Sequence, residues 1–169
     1  MILVVGHGPS ANVDPEWIDS QDFVVRCHTA THKQMLRGQG KASRKVKQIM
    51  RGSFTPHIGT KVDAVVTTQP NVRFNRVETW CEATYREVTR ALSCTFVSER
   101  RQKLSTGTVA CLIARLVKFP DSEIGVIGFD TTLGCVYLNN WPHHDAEGEG
   151  NLLRHIGVKD YGNYGEDCC

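Results

Sequence analysis

The sequence predicts one α/β domain, a Rossmann-like parallel sheet with helices on both faces. Three observations predict it. The chain has 169 residues, the size of a single domain at about 100–200 residues each, and enough to close one core. Short apolar runs of the kind found in doubly covered parallel strands recur at 1–5, 22–27, 62–67, 94–98 and 123–129. Between them apolar residues repeat at helical spacing, and strands alternating with helices make a parallel sheet with right-handed crossovers.

The elements follow in order. Met1-Ile2-Leu3-Val4-Val5 is a buried strand that stops at the glycine turn Gly6-His7-Gly8-Pro9-Ser10. Asp22-Phe23-Val24-Val25-Arg26-Cys27 is a second strand. Residues 31–58 follow as a basic insertion over one end of the sheet, where Val46, Ile49 and Met50 suit a short helix interrupted upstream by Gly38 and Gly40. After the strand at 62–67, Trp80, Cys81, Thr84, Tyr85, Val88 and Leu92 recur at helical spacing. The strand at 94–98 leads to a helix over 108–118 carrying Val109, Leu112, Ile113, Leu116 and Val117, then to the strand at 123–129. Asn151–Ile156 suggest a last helix. The domain is expected to run from 1 to 159, with 160–169 a Gly-rich acidic tail and no internal repeat.

Composition excludes several classes. Hydrophobic residues make up 40% and charged residues 22%, with 15 Gly and 6 Pro, far from disordered or collagen-like chains. No window has the ~18–20 consecutive apolar residues of a membrane span, and the first five residues are too short for a signal-peptide core, so a cytoplasmic location is expected. Seven cysteines with no pairing of CxxC units at metal-like spacing favour reduced thiols, with Cys81 and Cys111 as small core hydrophobes. Cys168-Cys169 has the place of a lipid-acceptor tail, but acids precede it where such tails are basic, so an untethered end is expected.

The net charge of +2 conceals an asymmetry. Residues 23–62 hold nine Lys and Arg and no Asp or Glu, which leaves eleven basic residues against eighteen acids elsewhere. Such a stretch either meets an anionic ligand or surface, or is a solvated loop.

In an open parallel sheet, ligands bind at the carboxyl ends of the strands. Three segments are expected there. Gly6, His7, Gly8, Pro9 and Ser10 follow the first strand: glycines admit a phosphate close to the backbone and Ser10 adds a hydroxyl. The segment lacks the third glycine and the downstream acid of an NAD fingerprint. Ser105, Thr106 and Gly107 open the 108–118 helix, where backbone N–H groups and the helix dipole suit an anion, although Ser105 is also a plain N-cap. Gly128, Phe129 and Asp130 lead to Trp141-Pro142-His143-His144-Asp145, in which adjacent histidines point apart and make a poor zinc site, so a general base is the better use of one of them. No metal ligands are assigned.

Together these segments resemble the sialyltransferases, enzymes that transfer sugars from CMP-activated donors, in a short bacterial or phage-type form. The large motif corresponds to Val4-Val5-Gly6-His7-Gly8-Pro9-Ser10 continuing through Ile18 to His28. The small motif corresponds to Ser105-Thr106-Gly107-Thr108-Val109-Ala110 through Ile127-Gly128-Phe129-Asp130, and His144 and Glu149 have the His-x4-Glu spacing of the last motif. The strand at 62–66, preceded by Gly59-Thr60-Lys61, is similar to one bearing a ribose contact in bacterial members. The family's usual Asn is replaced by His7 and by His28, Gln69 stands where an Asn-Pro pair is typical, and of two tyrosines near the leaving phosphate Tyr137 matches one while Thr132 occupies the other.

The resemblance implies a GT-A variant-like fold and an inverting, metal-independent transfer of sialic acid or a related sugar from a CMP-sugar to an acceptor hydroxyl. It implies His144 as the base, with Glu149 and His143 beside it. The donor would be held by Gly6, His7, Gly8, Pro9, Ser10, Arg26, His28, Gln69, Ser105, Thr106, Gly107, Gly128, Phe129, Asp130 and Tyr137. The acceptor is a glycan or another hydroxyl-bearing, anionic molecule. Two other readings stay open: a nucleotide-binding or regulatory module without transfer activity, and a sugar transferase that modifies nucleic acid through the basic stretch.

Overall fold

The computed structural model describes residues 1–6, 14–27, 59–67, 78–81, 104–129 and 145–162. Within them the chain runs β1 (Ile2–Val5), α1 (Pro15–Asp19), β2 (Phe23–Cys27), β3 (Ala64–Thr67), β4 (Glu78–Cys81), α2 (Thr106–Ile113), β5 (Ile124–Ile127), α3 (Ala146–His155) and β6 (Lys159–Asp160). The six strands form one parallel sheet in the order β4-β3-β2-β1-β5-β6. Strand order reverses between β1 and β5, which pair from Ile2↔Ile124 to Val5↔Ile127. A crevice for ligands opens at such a reversal, beyond the carboxyl ends of the two strands.

The apolar runs become central strands because both faces are covered. Leu3, Val4, Val24, Val25, Ile124, Val126 and Ile127 have no measurable exposure. Pleating sends Ile2, Val4, Val25 and Val126 to one face, where they pack with Val109, Ile113 and Leu153 of α2 and α3. Leu3, Val5, Val24 and Ile127 go to the other, under Ile18 of α1. Helices therefore lie on both faces, as the alternating pattern predicts. Cys27 and Cys111 are buried in the first of these cores, and neither is in a disulfide. Burial pushes the Cys27 thiol up to about 12 and raises that of Cys111 as well, so both act as packing atoms and not as nucleophiles.

Three expectations are corrected. Trp80 and Cys81, read as the head of a helix, lie in β4, where Trp80 pairs with Val66 and its ring stacks 6.1 Å from Phe23. Two residues at the end of a four-residue strand fit a helical template by chance, and pairing with β3 decides the conformation. Asp160, assigned to the tail, belongs to β6 beside Gly125 and Val126, and Tyr161 N–H donates to the Val126 carbonyl at 2.8 Å. Two exposed polar residues carry no strand signal; only the backbone pairs. The last helix starts at Ala146 instead of 151, on Asp145, whose Oδ1 accepts from Gly148 N–H at 3.0 Å. Gly148 and Gly150 lower the helical signal of its first turns.

The helix expected over 108–118 is α2, continued by a π turn over Ala114–Lys118 in which Phe119 N–H reaches the Ala114 carbonyl at 2.7 Å. Arg115 fastens this end, donating to the carbonyls of Ile156, Pro120 and Ser122 at 2.9–3.0 Å. The insertion 31–58, the helical pattern at 84–92 and the strand at 94–98 lie outside the described residues. Among those described, no helix is long and apolar enough to cross a membrane.

A clasp joins α1 to the segment that leads into β3. Asp19 at the end of α1 accepts from Thr60 N–H, the Thr60 hydroxyl and Lys61 N–H at 2.8–2.9 Å. Gly59 has φ +67°, and a Cβ there would sit 2.4 Å from Asp19 Oδ1, so the turn needs glycine. Burial raises the Asp19 carboxyl, but these three donors and the Arg26 charge together hold it below its ordinary value. The stabilisation is therefore full above the ordinary carboxylate value near ~4 and is lost as pH falls through the lower folded value. Asp19→Ala should cost about 1–2 kcal/mol at neutral pH, given the partial exposure of the group. Urea titrations of both proteins at pH 7 and near pH ~3 check it: the gap should shrink in acid, and an equal gap at both would remove the charge from the account.

Candidate functional site

The site is built where the strand order reverses. Gly6 N–H donates to the Ile127 carbonyl at 2.8 Å, so the β1–β5 pairing continues one residue past the strand end. A Cβ on Gly6 would lie 2.3 Å from the Gly128 carbonyl oxygen, and the backbones of the two exits could not approach as they do with any larger residue. Gly128 then turns the chain with φ +71°. The next residue, Phe129, is 4% exposed, and its ring lies against α2, where a Cβ on Gly107 would be 2.6 Å from Cζ. Gly6, Gly107, Gly128 and Phe129, separated by as many as 123 positions in sequence, meet at one point.

The first turn of α2 is set by Glu149. Ser105 caps the helix, its Oγ accepting from Thr108 N–H at 3.3 Å. Ser105 N–H donates to both Glu149 carboxylate oxygens at 3.0 and 3.1 Å. The hydroxyls of Ser105 and Thr108 each donate to Glu149 Oε2 at 2.5 Å. Glu149 is 2% exposed and Thr108 fully buried. A buried carboxylate is tolerable when an amide and two hydroxyls donate to it at a helix N-terminus, as here.

This arrangement decides what remains for a ligand. Both Ser105 donors are engaged by Glu149, so the Ser105 hydroxyl offers lone pairs only and is no phosphate donor. Thr106 is nearly buried. Gly107 N–H, the next donor of the turn, bonds to no described residue, and α2 has no acid in its first turn to compete for an anion. Glu149, expected beside the base, acts on the first turn of α2 as a positioning residue.

Arg26, expected at the donor, is 2% exposed under α1: Nε donates to the Lys61 carbonyl at 2.8 Å and Nη2 lies 4.0 Å from Asp19. Burial lowers its guanidinium to about 10 against the raising effect of Asp19, so it stays charged at neutral pH. It belongs to the clasp, on the α1 face: its backbone pairs with Val5 of β1, while the described side-chain contacts take its guanidinium to Lys61 and Asp19. His7, Gly8, Pro9, Ser10, His28, Gln69, Asp130, Tyr137, His143 and His144 lie outside the described residues.

Sequence reasoning missed Thr108, Asp145 and Asp19. Ser105-x-x-Thr108 and Asp145-x-x-Gly148 both have the spacing at which an N-cap side chain reaches the N3 amide, a signal that was readable. Glu149→Ala would leave buried N–H and hydroxyl groups without acceptors, each worth about 1–3 kcal/mol, so the variant should lose about 2–4 kcal/mol in a denaturant titration. Glu149→Gln, which keeps an acceptor oxygen, should lose about half as much; loss under ~0.5 kcal/mol in both would show that the carboxylate anchors nothing.

No family model matches this sequence. No curated protein matches it either. Among solved structures the chain is similar to a mammalian sialyltransferase crystallised in complex with Gal-β-1-3GalNAc-ortho-nitrophenol, with 16% identity over 96% of this chain and 69% of that one, and a TM-score of 0.53. At that identity the likeness is one of architecture: the chain has a sialyltransferase-like fold.

Proposed function

We propose that this chain is an inverting glycosyltransferase that moves sialic acid or a related sugar from a CMP-activated donor to an acceptor hydroxyl. The observation that supports the reading is the hold of Glu149, the last residue of the expected His-x4-Glu motif, on the N-cap of α2. This residue of α3 holds the N-cap of α2, where an anion would meet Gly107 N–H and the helix dipole. In sequence His144 directly precedes the N-cap Asp145, which supports reading it as the base of this site.

The reaction then follows from ordinary acid–base chemistry. The acceptor hydroxyl attacks the anomeric carbon on the face opposite the phosphate, and its proton passes to the His144 imidazole as the new C–O bond forms. The bond from anomeric carbon to phosphate oxygen breaks with both electrons on oxygen, and CMP departs as the anion. Gly107 N–H, the α2 dipole and Tyr137 receive that charge, so the transfer as written uses no metal. Gly6, Gly8, Ser10 and Gln69 hold the nucleotide.

The seven Lys and Arg of 31–58 favour an anionic acceptor. A nucleic acid is the second reading that this charge supports. Replacing Arg44, Lys45 and Lys47 by Ala should weaken binding of the acceptor and flatten its salt dependence while CMP affinity holds.

Two measurements test the proposal. CMP should raise the melting temperature more than UMP, AMP or NAD, and tighter binding of NAD would restore a dinucleotide enzyme as the better reading. His144→Ala should lower kcat by about 10²–10⁴-fold with CMP affinity unchanged. Full turnover in that variant, with loss in His143→Ala, would move the base by one residue; no turnover by the unaltered chain with any CMP-sugar would make it a binding module.

A further inference from the structure

We draw no further inference here: the strongest candidate, the buried Arg26 guanidinium on the α1 face with Nη1 and Nη2 unpartnered among the described residues, is one of the donor-binding residues that the resemblance already implies, and nothing described around it shows a ligand or an opening through which one would reach it.

Discussion

A carboxylate in the interior is the constraint on which the α2 and α3 end of this fold depends. Taking Glu149 out of water costs several kcal/mol unless donors surround it. The chain meets that cost with the Ser105 amide, two hydroxyls at 2.5 Å and the positive end of α2. An apolar residue would hold two helices together loosely, by area. A buried anion holds them at one register, because sliding either helix by a turn would strand it. The α2 and α3 N-termini therefore have one relative placement, and whatever chemistry the neighbouring residues perform is done from that placement.

The same carboxylate removes donors from the site. A helix N-terminus is usually read as an anion site with several free amides and a hydroxyl. Here Glu149 takes the N-cap amide and the N-cap hydroxyl, and Ser105 takes the Thr108 amide. Among the described residues this leaves the Gly107 N–H, a dipole partly neutralised by Glu149, and a backbone crossing of Gly6 on Gly128. The exits of β1 and β5, where Gly6 packs on Gly128, therefore shape this end of the sheet as much as the helix does.

The fold was legible wherever burial on both faces wrote itself as an apolar run. Ile2–Val5, Phe23–Cys27, Ala64–Thr67 and Ile124–Ile127 all lie within the runs that predict them. β4 and β6 were not legible, because an edge strand needs apolar residues on one face at most, and Lys159–Asp160 pairs by backbone alone. At the site, the cap Ser105 and the glycines were readable from local chemistry. Glu149 was singled out by its distance from His144, yet its place was hidden: nothing in the sequence says that an acid in one helix will cap another 44 residues earlier. Arg26, which the resemblance implies at the donor, was equally hidden: nothing in the sequence says that its guanidinium turns back to the Lys61 carbonyl and Asp19.

That arginine explains why the two faces of the sheet behave differently. Nη1 and Nη2 of Arg26 are buried without hydrogen-bond partners among the described residues, and Asp19 is 4.0 Å away, so the charge is compensated poorly. The α1 face carries this cost, and the Asp19 clasp with Thr60 and Lys61 offsets part of it by fixing where the chain returns to β3 after 31 residues rich in positive charge. On the α2 and α3 face the buried charge of Glu149 is met by the Ser105 amide and the hydroxyls of Ser105 and Thr108, although Trp80 Nε1 is buried there without a described partner. Loosening the clasp should therefore free the return of the basic segment while the crevice at β1 and β5 keeps its geometry. The two regions meet through the backbone pairing of Val5 with Arg26, and no described side-chain hydrogen bond runs from Asp19, Thr60 or Lys61 to Gly6, Gly128 or Glu149, so substitutions in the clasp and at the crevice should act nearly additively on stability.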